Sequence, residues 1–79
     1  MSATLAEIQQ KIKECPNVTD IVASAGPTTT PEGEIGYTVR VSFRSDGQPK
    51  MIAMFYPEEE LPAVELIVRS LNTPNGMLE

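Results

Sequence analysis

Glu58, Glu59 and Glu60 stand in succession, and neighbouring carboxylates are the raw material of acid–base catalysis and of hard-cation binding. Successive residues at a helix start point in different directions, however, and no loop with the ligand spacing of a calcium site accompanies them. They read as a solvated start whose negative charge suits the positive end of a helix dipole. The chain has no His and one Cys, Cys15, so no Ser-His or Cys-His pair can form and the common zinc ligand sets are out of reach. Cys15 falls at the C-terminal end of a helical apolar stripe, where the dipole disfavours a thiolate, so a structural role is expected. None of the glycines has the spacing that cradles a phosphate ahead of a helix. These absences set the expectation of a non-enzymatic protein with no metal and no cofactor.

Basic side chains next to an aromatic form the remaining constellation. Arg40 and Arg44 share one face of a strand, Lys50 joins them in one of two hairpin registers, and Phe55 or Tyr56 supplies the ring. Charge plus stacking on an open sheet is how single-stranded nucleic acid is held, so weak binding of that kind is the alternative function. The overall charge of −5 opposes it, since such binding depends on neutralising phosphates.

The elements that position these residues follow from periodicity. Leu5, Ile8, Ile12 and Cys15 make one stripe of a helix, Thr4 and Glu7 fit a capping box, and Pro16 stops it. A β-branched strand follows over about residues 19–25, with Ile21, Val22 and Ala23 as its expected buried centre. Residues 26–34, rich in Pro, Gly and Thr, read as a mobile loop. Ile35, Tyr37, Val39, Val41 and Phe43 then alternate with Gly36, Thr38, Arg40 and Ser42, the pattern of a half-buried strand. Asp46-Gly47 supplies the positive φ angles of a tight hairpin turn.

Beyond that turn lies the apolar run Met51, Ile52, Ala53, Met54, Phe55, Tyr56. A strand covered on one side alternates apolar and polar, and this one does not. A two-residue turn sends Ile52, Met54 and Tyr56 to the core; a three-residue turn with a bulge sends Met51, Ala53 and Phe55 there instead. In either register apolar side chains are left on the other face, next to Thr38, Arg40 and Ser42.

Leu61, Val64, Ile67, Val68 and Leu71 recur at helical spacing, and Pro62 belongs in the first turn, where its missing N–H costs nothing. A fourth strand, with Val64, Leu66 and Val68 alternating, is the rival. The expected fold is thus α+β, in the order α-β-β-β-α, with a three-stranded antiparallel sheet and two amphipathic helices in two layers. At 79 residues the chain is a single small domain, spanning residues 1–77, near the size at which one core alone can sustain a fold. Leu78-Glu79 reads as the junction of an expression tag.

The element order is similar to that of double-stranded-RNA-binding domains, which present a lysine-rich helix start to phosphates. Here that position reads Pro57-Glu58-Glu59-Glu60, of opposite sign, so the resemblance is one of topology. The segment Tyr56 to Pro62 resembles the Tyr-Pro-x-x-x-Pro element of RWD and ubiquitin-conjugating folds, with one extra residue and no catalytic-type Cys after it. That resemblance favours the fourth strand over the helix.

With one Cys and no apolar run of the roughly 20 residues that a membrane span needs, a soluble protein of the reducing cytoplasm is expected. The expected function is a protein-interaction or assembly module that binds a partner or itself, most simply as a homodimer. The expected contact residues are Arg40, Met51, Ala53, Met54 and Phe55.

Overall fold

A computed structural model describes residues 3–72. The tag-like junction at 78–79 and the turn residues after position 72 lie outside the described residues. The chain is an α+β protein with the element order α1 (Leu5–Lys13), β1 (Val18–Thr29), β2 (Ile35–Ser45), β3 (Gln48–Pro57), a 3₁₀ turn (Glu58–Glu60) and α2 (Leu61–Asn72). The strands form one antiparallel sheet in the order β1-β2-β3.

Helix α1 starts where its cap residues dictate. Thr4 is extended, its hydroxyl accepts the Glu7 N–H at 3.2 Å, and the Glu7 carboxylate accepts the Thr4 N–H at 3.0 Å. These bonds favour the ionised carboxylate and hold it below its ordinary range, with Lys11 adding to the effect. Ile8 and Ile12 are buried, while Leu5 and Cys15 on the same stripe pack against the core. Ser45, at the far end of β2, donates to the Pro16 carbonyl at 2.7 Å, which ties the end of the helix to the sheet.

Strand β1 is longer than its composition suggests. It runs through Gly26, Pro27, Thr28 and Thr29, so the expected loop 26–34 contracts to a short turn. There Gly33, at φ 87°, donates to the Thr30 carbonyl and Thr30 donates to that of Glu34, both at 2.8 Å. Pro27 is tolerated because it sits on an edge strand with its nitrogen turned away from the ladder.

A second correction concerns Val22, which is 58% exposed. The pairing slips by one residue between Thr19 and Val22, and Asp20 there adopts φ 58°. The inserted residue turns Ile21 inward and Val22 outward, as a bulge re-aims side chains by breaking the two-residue period.

Strands β2 and β3 join by the two-residue turn. Asp46 and Gly47 have φ of 52° and 78°, and Val41 pairs with Ile52 and Val39 with Met54. The resulting core combines Val39, Val41, Phe43, Tyr56 and Ala23 from the sheet with Ile8 and Ile12 of α1 and Val64, Ile67 and Leu71 of α2. The last segment is helical, not a fourth strand. Its glutamates occupy the 3₁₀ turn, and Pro62 sits in the first turn of α2. Tyr56 is fully buried, and its hydroxyl donates to the Ala3 carbonyl at 2.8 Å, linking β3 to the start of α1.

Gly36 is where the sheet demands a glycine. A Cβ there would collide with the Tyr56 carbonyl and would lie 2.7 Å from the Phe55 ring. Gly26, by contrast, has open space where its Cβ would be. Gly36→Ala is therefore expected to destabilise by about 1–3 kcal/mol in urea unfolding, and Gly26→Ala to stabilise by about 0.4–1 kcal/mol. Equal effects of the two would contradict this packing.

Burial pushes the Tyr56 phenol above its ordinary pKa, with the carboxylates of Glu60 and Glu7 adding to the shift. Its contribution to stability is therefore complete below pH about 10 and is lost as pH rises through the higher folded value. Tyr56→Phe should cost about 0.5–1.5 kcal/mol at neutral pH and flatten the alkaline limb of the stability profile, both read by thermal melts.

Candidate interaction surface

The register of β3 sorts the predicted contact residues. Arg40 pairs with Ala53, Ser42 with Met51 and Thr38 with Phe55, so Arg40, Met51, Ala53 and Phe55 share the sheet face opposite the core cluster. Met54 does not join them. It pairs with Val39, packs against the core and lies 3.8 Å from the Tyr56 hydroxyl through its sulfur. A two-residue turn leaves it no other face.

This outer face is built of rows across the three strands. Val22, Ser42 and Met51 form one row, Ser24, Arg40 and Ala53 the next, then Gly26, Thr38 and Phe55. Met51 is 64% exposed, and Arg40, Ser42 and Ala53 are exposed as well. Thr38 donates to the Thr28 hydroxyl at 2.8 Å, so this part of the face is internally satisfied. Phe55 is half-buried because its ring lies over Gly36. A shallow dish of about 600 Å³ is lined mainly by Asp20, Ser42, Arg44, Pro49 and Met51, with Phe43 and Lys50 also reaching its wall.

Of the basic set, Arg40 and Arg44 lie on the outer face, and an Arg44 guanidinium nitrogen is 3.4 Å from the Gly47 carbonyl. Lys50 is on the other side, since it pairs with the buried Phe43. The same turn that removes Met54 from the face thus removes Lys50 from the arginine pair.

The margins of the sheet were not legible as sites. With the two-residue turn, Ser45 and Gln48 are a hydrogen-bonded pair, and every second residue of β3 from Gln48 bonds to β2. The close approach of the Tyr56 carbonyl to Gly36 agrees with that phase. Pro49, Met51, Ala53, Phe55 and Pro57 therefore turn their backbone groups outward, and among the described residues no strand lies beyond β3.

The β1 margin is treated differently. The Asn72 side chain accepts the Ala23 N–H at 2.7 Å and donates to the Ala23 carbonyl at 2.8 Å, taking the place of a neighbouring strand. Beside it, a groove of about 540 Å³ between that margin and α2 is lined mainly by Ala25, Pro27, Tyr37, Leu61, Val64 and Val68.

Neither concavity brings together groups that fit a catalytic pair. Cys15 is half-buried, with its thiol 3.8 Å from the Lys11 carbonyl. Among the described residues no group of three or more His, Cys, Asp or Glu side chains converges as metal ligands would, and no helix is long and apolar enough to cross a membrane. Compared with protein-family models, with curated proteins and with solved structures, the chain matches none.

Proposed function

We propose that this chain is a non-catalytic protein-interaction module whose binding surface is the outer sheet face together with the β3 margin. Both helices and the inner sheet face supply one buried cluster, which supports a two-layer arrangement. In that arrangement the outer face has no layer of its own. The single observation that carries the reading is Met51, 64% exposed on that face in a row with Val22, itself 58% exposed. Met adapts its shape to a partner, and apolar side chains on an open sheet are the usual substance of a protein interface.

Self-association is the form to test, because a chain of this size gains most from a second copy. Sedimentation equilibrium from micromolar to near-millimolar protein should show a concentration-dependent dimer. Met51→Lys should leave a folded monomer. Leu66→Lys is the control, since Leu66 is 45% exposed on α2, away from the sheet face. Dissociation by Leu66→Lys with Met51→Lys still associated would move the interface to the helix and end this reading.

One observation favours the alternative. Arg40 and Arg44 are exposed on the same face as the Phe55 ring, as single-stranded nucleic acid would require. It lacks Lys50, which lies on the opposite face. Titration with a labelled oligonucleotide at low salt decides it. Binding that weakens steeply with salt and is lost in Arg40→Ala would support it, and no binding at low salt would remove it.

A further inference from the structure

The β3 margin carries a pattern that the face alone does not explain. Its outward-turned positions read Pro49, Met51, Ala53, Phe55, Pro57, with a proline at each end and Ala53 at the centre. Proline has no N–H, so only Met51, Ala53 and Phe55 offer both a donor and an acceptor to a neighbouring strand.

We infer that the occupant of this margin is a second copy of the chain, paired antiparallel along β3 with Ala53 opposite Ala53, an inference that rests on the interaction surface proposed above. In that register Met51 meets Phe55 of the second copy and Phe55 meets its Met51. The three complete residues are then matched wholly among themselves, forming about six backbone hydrogen bonds, and each proline falls opposite a proline. A shift of two residues either way also forms about six bonds, since each chain still sets its three N–H donors opposite carbonyls, but it places a proline against Met51 or Phe55. The prolines therefore bound the length of the ladder, where a plain edge guard would place a proline or a charge at the centre, and the side chains distinguish one register from its neighbours.

Side chains agree with the backbone on both faces. On the outer face the exposed Met51 packs against the Phe55 ring of the second copy, a favourable sulfur–aromatic contact. On the inner face Ile52 meets Met54 of the second copy, and both are only partly buried in the single chain. The run of apolar residues on both faces thus becomes the centre of a continuous sheet twice the width of the three-stranded one.

Charge is complementary at both ends. Lys50 comes opposite Tyr56 of the second copy, on the inner face. The carboxylates of Glu60 and Glu7 push the Tyr56 pKa up, so this end of the strand carries negative potential toward the approaching cation. The two-fold repeats this pairing at the other end. An edge pairing buries little area, so the dissociation constant should be on the order of 10 µM to 1 mM.

The test combines sedimentation equilibrium with isotope-filtered NMR on a mixture of labelled and unlabelled wild-type chains. Ala53→Pro removes only outward N–H groups and leaves the β2 ladder intact, so a folded monomer is expected, with association weakened on the order of 10- to 100-fold or more. Because that variant could also disturb folding, the wild type is tested independently. A cross-chain contact between the α-protons of Ile52 and Met54, with slow exchange of the Met51, Ala53 and Phe55 amides, establishes the pairing. A dimer that survives Ala53→Pro but dissociates with Met51→Lys would mean that the faces stack, overturning the edge pairing while leaving the proposed surface in place. A dimer indifferent to both variants would overturn both. A wild type that stays monomeric to about 1 mM overturns the self-pairing.

Discussion

The turn at Asp46 and Gly47 is the constraint on which the rest depends. Both residues adopt positive φ, which closes the hairpin in two residues and fixes Val41 against Ile52. A single extra residue would move every side chain of β3 to the opposite face. Tyr56 would then leave the core and its hydrogen bond to Ala3, and Phe55 would leave the backbone of Gly36. The glycine at position 36 is consistent with only one register, so turn and strand specify the same answer from opposite ends of the hairpin.

Much of this is legible in the residues, for reasons that differ by element. The cap formed by Thr4 and Glu7 is a local interaction, and local interactions are written in adjacent letters. The alternation from Ile35 to Phe43 survives because β2 is the central strand, held in phase by a neighbour on each side. Strand β1 is harder to read. Its bulge depends on Asp20 taking a left-handed conformation, which no spacing announces, and for that reason composition alone puts Val22 in the core. Its length is hidden by Gly26 and Pro27, residues that mark turns in general and that an edge strand accommodates. Hydrophobicity cannot separate the two hairpin registers, since Met51 to Tyr56 is apolar in both phases. The sides taken by Met54 and Lys50 are therefore fixed by the turn and not by the run itself. The bridge from Asn72 to Ala23 joins parts of the chain far apart in sequence, and nothing at either position signals it.

The two margins of the sheet solve the same problem in opposite ways. An unpaired strand edge invites association, and proteins blunt it with covers, bulges and prolines. On β1 all three occur: the Asn72 amide occupies the Ala23 groups, the bulge lies near the start, and Pro27 removes a donor near the end. On β3 the prolines stand only at positions 49 and 57. The three outward residues between them are apolar, uncharged and complete in their backbone groups. This asymmetry is what the proposed pairing along β3 rests on, whereas the β1 margin is covered.

The same asymmetry bears on stability. Among the described residues the buried cluster draws two residues from α1 and three from α2, with the sheet supplying the remainder, a modest core for a small domain. Ile52 and Met54 pack against it and are only partly buried. A second β3 alongside would complete their burial without adding a layer, because sheet extension shields the flank of an edge strand as well as its backbone. Binding to the folded chain alone stabilises it by mass action, so under the proposed pairing fold and association would be linked through the same few residues. The apolar run that looks excessive for an edge strand is then proportionate to a strand at the centre of a wider sheet.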